Sequence, residues 1–139
     1  MQYDLDKFLR AQAGDYETAL AEIRAGRKES HWIWYIFPQL RGLGASSASY
    51  LYGISGLEEA RAYLAHPVLS ARLTEISEAM LSHTDKSAYQ ILGGTDAKKL
   101  RSSMTLFALI SPEDSVFHRI LRQFYGGRMD RKTLNLLGL

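Results

Sequence analysis

The sequence predicts an all-α fold: a single compact, irregular bundle of about eight helices over residues 1–139. Three observations carry that expectation. Apolar residues recur at helical spacing, most clearly as Leu69, Leu73, Ile76 and Met80. Capping residues and glycines punctuate the chain at intervals that suit helices of about 6 to 16 residues. The only strand-favouring run, Trp32 to Phe37, has no convincing partner elsewhere.

Leu5, Phe8, Leu9 and Gln12 share one helical face, with Asp4 and Asp6 at its positive end. Gly14 is expected to break this helix. Asp15 then caps a second one carrying Tyr16, Leu20 and Ile23, closed by Gly26, and the two pack as a hairpin. The stretch from His31 to Leu40 follows, holding both tryptophans, and is expected as a short helix that Pro38 ends. Residues 41–49 form a small-residue loop. A short helix through Tyr50, Leu51 and Tyr52 stops at Gly53. Ser55-Gly56-Leu57-Glu58 resembles a capping box opening a helix through Ala60 and Leu64. His66-Pro67 closes it and starts the Leu69–Met80 helix, with Pro67 where a missing N–H does no harm. Ser87 to Leu92 form a short helix ended by Gly93-Gly94, and Thr95 or Asp96 caps the next, with Leu100, Met104 and Phe107 inward. Val116, Phe117, Ile120, Leu121 and Phe124 mark a helix closed by Gly126-Gly127, and Asp130 caps a last one with Leu134 and Leu137.

Composition narrows the function classes. With 17 basic and 15 acidic residues the formal net charge is +2, too balanced for the basic footprint of a duplex-binding protein. There is no cysteine, which excludes disulfides, thiolate nucleophiles and cysteine-ligated zinc. Met1 to Asp6 has neither a basic nor an apolar leader region, and no apolar run approaches the ~20 residues that span a bilayer. The expectation is a cytoplasmic protein with no membrane partner. No phosphate-loop or dinucleotide motif is present, so no cofactor is expected. The four histidines (His31, His66, His83, His118) lack metal-ligand spacing, so no metal site is expected either. His66 reads as a helix-boundary residue and His83 as a solvent-exposed one.

Two segments bring polar groups beside aromatics. In the first, His31 is the natural acid/base candidate, Trp34, Tyr35 and Gln39 are lining candidates, and Lys28 lies just before. The alternative is a buried histidine bonded to a backbone carbonyl. In the second, Asp96, Lys99 and Ser103 fall on one stripe of a helix, with Ser102 beside them and Arg101 and Thr105 as a further polar pair. A carboxylate, an ammonium and hydroxyls on one helix edge can bind a phosphate or hold a reactive lysine. The plain alternative is an Asp–Lys pair and serines that allow close helix packing. Ser46 and Ser47 cap the next helix or, for Ser47, join the site.

With these residues laid out, the chain resembles the domain of unknown function 1810 family of bacteria and fungi. The resemblance rests on the segments His31-Trp32-Ile33-Trp34, Ile36-Phe37-Pro38-Gln39-Leu40 and Lys99-Leu100-Arg101-Ser102-Ser103-Met104-Thr105-Leu106-Phe107. Further matches include Phe8-Leu9-Arg10-Ala11-Gln12, His66-Pro67 and Asp130 with Thr133-Leu134. It implies a helical fold and brings no established activity. Some members are labelled calpastatin, yet a compact aromatic-rich domain does not resemble a disordered protease inhibitor. In its helical form, tryptophan-rich segment and helix-edge lysine the chain is also similar, without a shared motif, to the NADAR proteins, which act on ADP-ribose derivatives.

Two functions are carried forward. The first is a domain that binds or hydrolyses a small phosphorylated molecule of nucleotide, ADP-ribose or sugar-phosphate type. Its pocket uses Trp34 or Tyr35 for stacking, Lys28 and Arg101 for phosphate, and Lys99, Asp96 or His31 for chemistry, with Gln39, Ser47, Ser102 and Ser103 lining it. It requires His31 and Lys99 to share one pocket. The second is a non-catalytic interaction module whose basic C-terminal face (Arg119, Arg122, Arg128, Arg131, Lys132) meets an acidic partner or nucleic acid.

Overall fold

A computed structural model describes residues 3–139, so the leader reading of Met1 to Asp6 begins on two residues outside the described ones. Among the described residues there are nine helices: α1 (Asp6–Ala25), α2 (Ile33–Ile36), α3 (Ser47–Leu51), α4 (Leu57–Ala65), α5 (Pro67–Leu81), α6 (Ala88–Leu92), α7 (Gly94–Ala108), α8 (Val116–Tyr125) and α9 (Arg131–Leu136). The all-α expectation holds. The sole extended pairing among them is a bridge between Leu40 and Ile54, which ties the end of the aromatic stretch to the turn after α3. Among the described residues no helix is long and apolar enough to cross a membrane.

The first helix corrects one expectation. Gly14 does not break it, and there is no hairpin: α1 runs unbroken for 20 residues. Glycine in a helix interior costs about 1 kcal/mol relative to alanine. Against that stands a stripe that stays in phase across it, with Phe8, Gln12, Tyr16, Ala19, Leu20 and Ile23 all buried. Burial of large apolar side chains at about 1.5–3 kcal/mol each outweighs the one glycine. Asp15, released from a capping role, accepts a hydrogen bond from the Tyr35 hydroxyl.

α1 packs on α5, α5 on α8, and α7 on α8, α6 and α9, so α5, α7 and α8 form the centre. In α7 the C-terminal half is buried on every side, from Ser102 through Ala108, as expected of a helix inside a bundle. An aromatic chain crosses the core. Phe8 meets Tyr63 edge-on at 5.1 Å, Tyr63 meets Phe107 at 5.4 Å, and Phe107 meets Phe117 at 5.6 Å. The Leu69–Met80 stripe of α5 is buried as its spacing predicts.

Three smaller corrections concern helix ends. The α4 cap is Gly56, with no side-chain bond; Glu59, not Glu58, reaches back, accepting from the Ser55 N–H at 2.8 Å. His83 is half-buried and its Nε2 lies 2.6 Å from the Ile23 carbonyl at the end of α1. Neither Thr95 nor Asp96 caps α7, whose N-cap is Gly93. That leaves the Asp96 carboxylate free to face a neighbouring segment.

Candidate functional site

The site is assembled by three staples. The first is Glu22 on α1. Its carboxylate accepts from the N–H groups of Glu29 and Ser30, the Ser30 hydroxyl and the Trp32 indole N–H, at 2.6–3.0 Å. Burial alone would raise the pKa of this carboxyl. The donors from Ser30, Glu29 and Trp32 outweigh burial and lower it from the ordinary value near 4.5 to about 2. The segment is thereby folded into a fixed turn with the Trp32 ring inside the core, 1% exposed.

The second staple is Gln12, whose amide donates to the Tyr35 carbonyl at 2.8 Å and to the Tyr63 hydroxyl at 3.1 Å, holding α2 against α1. Trp34 is left half-buried, facing outward from the fold. The loop after α2 closes on its edge: a Cβ on Gly44 would lie 2.8 Å from Trp34 Cη2 and 2.8 Å from Ser49 Cβ.

The third staple joins α7 to the chain before α9. Arg101 donates from Nε to the Arg128 carbonyl and from Nη2 to the Met129 carbonyl, both at 2.9 Å. The Asp130 N–H donates to the Thr105 hydroxyl at 2.8 Å. Asp130 then caps α9 through the Thr133 N–H, as its sequence predicts. These bonds set Lys132 alongside Lys98 and Lys99.

Two clefts result, and they share a wall. The first, about 320 Å³, is lined by Trp34, Gln39, Leu43 and Gly44 from one side, by Thr95, Lys98, Lys99 and Ser102 from α7, and by Lys132 of α9 with Asp130, the residue before that helix. The second, about 230 Å³, is lined by His31, Trp34, Tyr35 and neighbours, together with Lys28, Ala48, Asp96 and Lys99. Trp34 and Lys99 border both, with Lys99 Nζ 4.4 Å from the Trp34 ring centre. The aromatic segment and the start of α7, some sixty residues apart in sequence, thus meet. His31 and Lys99 line the same cleft.

An ordered row of charge runs beneath this wall. Lys28 Nζ lies 2.8 Å from Asp96 Oδ2, and Lys99 Nζ lies 3.5 Å from Asp96 Oδ1. Lys28 Nζ also donates to the Ser30 carbonyl and sits 4.7 Å from the Trp32 ring centre. In the first cleft the balance differs: Lys98 and Lys132, neither in an ion pair among the described residues, line it beside Lys99, and its one lining carboxylate, Asp130, is already engaged by Thr133 through both its N–H and its hydroxyl.

Arg101, Ser47 and Ser103, expected in the site, fall outside both clefts, and other expected residues line them in altered roles. Arg101 lines neither cleft, because its guanidinium is occupied by two backbone carbonyls. Lys28 lines the second cleft, with its ammonium already held by the Asp96 carboxylate, the Ser30 carbonyl and the face of the Trp32 indole. Ser47 is exposed at the start of α3 and lines neither cleft; Ser46 is the cap. Ser103 is fully buried with its hydroxyl unpartnered and lines neither cleft. His31 is exposed, not a buried histidine among aromatics. Tyr35 lines the second cleft with its hydroxyl donated to Asp15; burial and that carboxylate push its pKa up.

The 42–47 loop, an expected wall of the pocket, supplies Leu43 and Gly44 to the first cleft, whereas Thr95, Lys98, Asp130 and Lys132 line it without being singled out by the sequence. Lys98 stands directly beside Lys99 and on the same helix end, a signal the stripe pattern passed over. Lys132 was grouped with the basic C-terminal face. Nothing local in the sequence marks it as a partner of Lys98.

The sequence matches the family described as "Protein of unknown function (DUF1810)" over residues 2–137. The chain belongs to this family. The fold is also that of a solved relative. The crystal structure of the conserved hypothetical protein Rv1873 from Mycobacterium tuberculosis is 47% identical, with a TM-score of 0.95 over 99% of this chain and 98% of that one. No curated protein matches the chain. Family and relative carry a fold and no activity, so the function rests on the chemistry of the two clefts.

Proposed function

We propose that the protein, acting as one domain over residues 1–139, binds a small phosphorylated ligand in the first cleft. The observation that carries this reading is the convergence of Lys98, Lys99 and Lys132, from two helices, beside the Trp34 ring and opposite a single, already engaged carboxylate. Neither Lys98 nor Lys132 has an ion-pair partner among the described residues. Both lie in the early turns of their helices, where the helix dipole adds to positive potential instead of offsetting it. Unpaired lysines around a partly apolar cleft hold phosphate as point charges, while the indole offers a face for a sugar or base.

The ligand class is nucleotide, ADP-ribose or sugar phosphate. Where binding leads on to hydrolysis, the acid/base is His31, an exposed residue of the second cleft, across the Trp34–Lys99 wall that the two clefts share. Asp96 then orients Lys99 instead of moving a proton, since both its oxygens face ammonium groups.

The test is a thermal-shift screen against nucleotides, ADP-ribose and sugar phosphates. A ligand at 100 times its Kd stabilises the fold by about 2.7 kcal/mol. The shift is expected to vanish in a Lys98→Ala, Lys132→Ala double variant and to survive Arg119→Ala with Arg131→Ala. No shift with any ligand, or the reverse pattern of variants, refutes the reading.

A further inference from the structure

Gln39 is a polar side chain in the wall of the first cleft that the protein does not satisfy. It is 2% exposed, and its Nε2 is buried without a hydrogen-bond partner. Buried amides are nearly always paired, and the other buried glutamine, Gln12, donates twice. Two further buried groups lack partners, the hydroxyls of Ser77 and Ser103, but both sit on central helices outside the lining of either cleft.

The backbone holds Gln39 where it is. Pro38 precedes it, the Ile54 N–H donates to its carbonyl at 2.8 Å, and the Arg41 N–H donates to the Ile54 carbonyl at 2.8 Å. The bridge fixes the Gln39 backbone and so the point from which its side chain enters the wall of the cleft. Its carboxamide carries donors and an acceptor in one plane, and rotation about the last torsion, which is soft, exchanges them. A phosphate offers acceptors only. The group that answers both ends of a carboxamide is a planar edge with adjacent donor and acceptor, the edge that a nucleobase presents to glutamine or asparagine.

We propose that Gln39 reads the base of a nucleoside monophosphate, with the base against Trp34 and the phosphate on Lys98 and Lys132. This rests on the first cleft being the phosphate site proposed above and names its substrate class. The size agrees: about 320 Å³ is at the small end of ligand pockets, which span roughly 300–1,000 Å³. It suits one nucleotide and is short for two.

The experiment is calorimetric titration of the full chain with ribose 5-phosphate and with AMP, GMP, CMP and UMP. At least one nucleotide is expected to bind about tenfold more tightly than ribose 5-phosphate, the discrimination of one good two-point contact. Gln39→Met, close in shape and without donors, is expected to weaken that nucleotide about tenfold, leaving what stacking on Trp34 adds, and to weaken ribose 5-phosphate, which has no base to be read, less. In the unaltered protein the side-chain amide resonance of Gln39 is expected to shift with the nucleotide and stay in place with the sugar phosphate, which keeps the test decisive if the variant misfolds. Equal binding of nucleotides and ribose 5-phosphate, or a nucleotide affinity that Gln39→Met leaves unchanged, overturns the base-reading role while the phosphate site stands. Absence of binding by any of the five overturns both.

Discussion

Replacing Glu22 by glutamine tests the staple on which the first half of the site is built. The carboxylate collects four donors from Glu29, Ser30 and Trp32, and its pKa is lowered from about 4.5 to about 2. At about 1.36 kcal/mol per pH unit that displacement corresponds to roughly 3.4 kcal/mol. Glu22 is partly exposed, and solvent screening reduces the figure to about 2 kcal/mol. For a chain of this length such a loss lowers the melting midpoint by about 6 °C. The sign with pH follows from the direction of the displacement. A carboxylate with a lowered folded-state pKa stabilises fully above its unfolded value near 4.5, and the contribution disappears as the pH falls through about 2. Thermal melts of the protein and of Glu22→Gln, followed by tryptophan fluorescence, are therefore expected to differ most at neutral pH and to converge towards pH 2. A difference that stays constant over that range would refute an electrostatic staple. The absence of any difference at neutral pH would show that Glu22 does not hold the turn.

Gly14→Ala is expected to stabilise the fold by about 0.5–1 kcal/mol in a denaturant melt, because Gly14 is exposed inside α1 with nothing within 4 Å of an added Cβ; a loss of stability would mean that α1 is broken there after all. Gly44→Ala introduces a Cβ 2.8 Å from both Trp34 and Ser49, a crowding that costs about 1–3 kcal/mol. It is expected to displace Trp34 and weaken any ligand of the first cleft, read as reduced quenching on titration; unchanged binding would remove Trp34 from the site.

Much of the fold was legible in the sequence because it depends on periodicity and on local chemistry. The α5 stripe, the Asp130 cap and the glycine stops after α6 and α8 each involve residues within a few positions of one another. Where local and distant forces compete, local reading fails. Gly14 argues for a break and the Phe8–Ile23 stripe argues for continuity, and the burial that decides between them comes from α5 packing on α1. Asp96 is a good capping residue by type. A lysine at position 28 gives its carboxylate a better partner, and the helix starts without it.

The same division runs through the site. The sequence by itself determined the all-α class, the family, and the two segments that supply Trp34, Gln39, Asp96 and Lys99, since their residue types and spacing are chemically unusual wherever they fold. Only the tertiary structure decided which cations remain free. Arg101 and Lys28 are taken up by backbone carbonyls and by Asp96, while Lys98 and Lys132 are left open to the cleft. Spacing along a chain ranks residues by what they can bind. Whether a charge is available depends on what has already been brought within about 3 Å of it, and that is a property of the packed molecule alone.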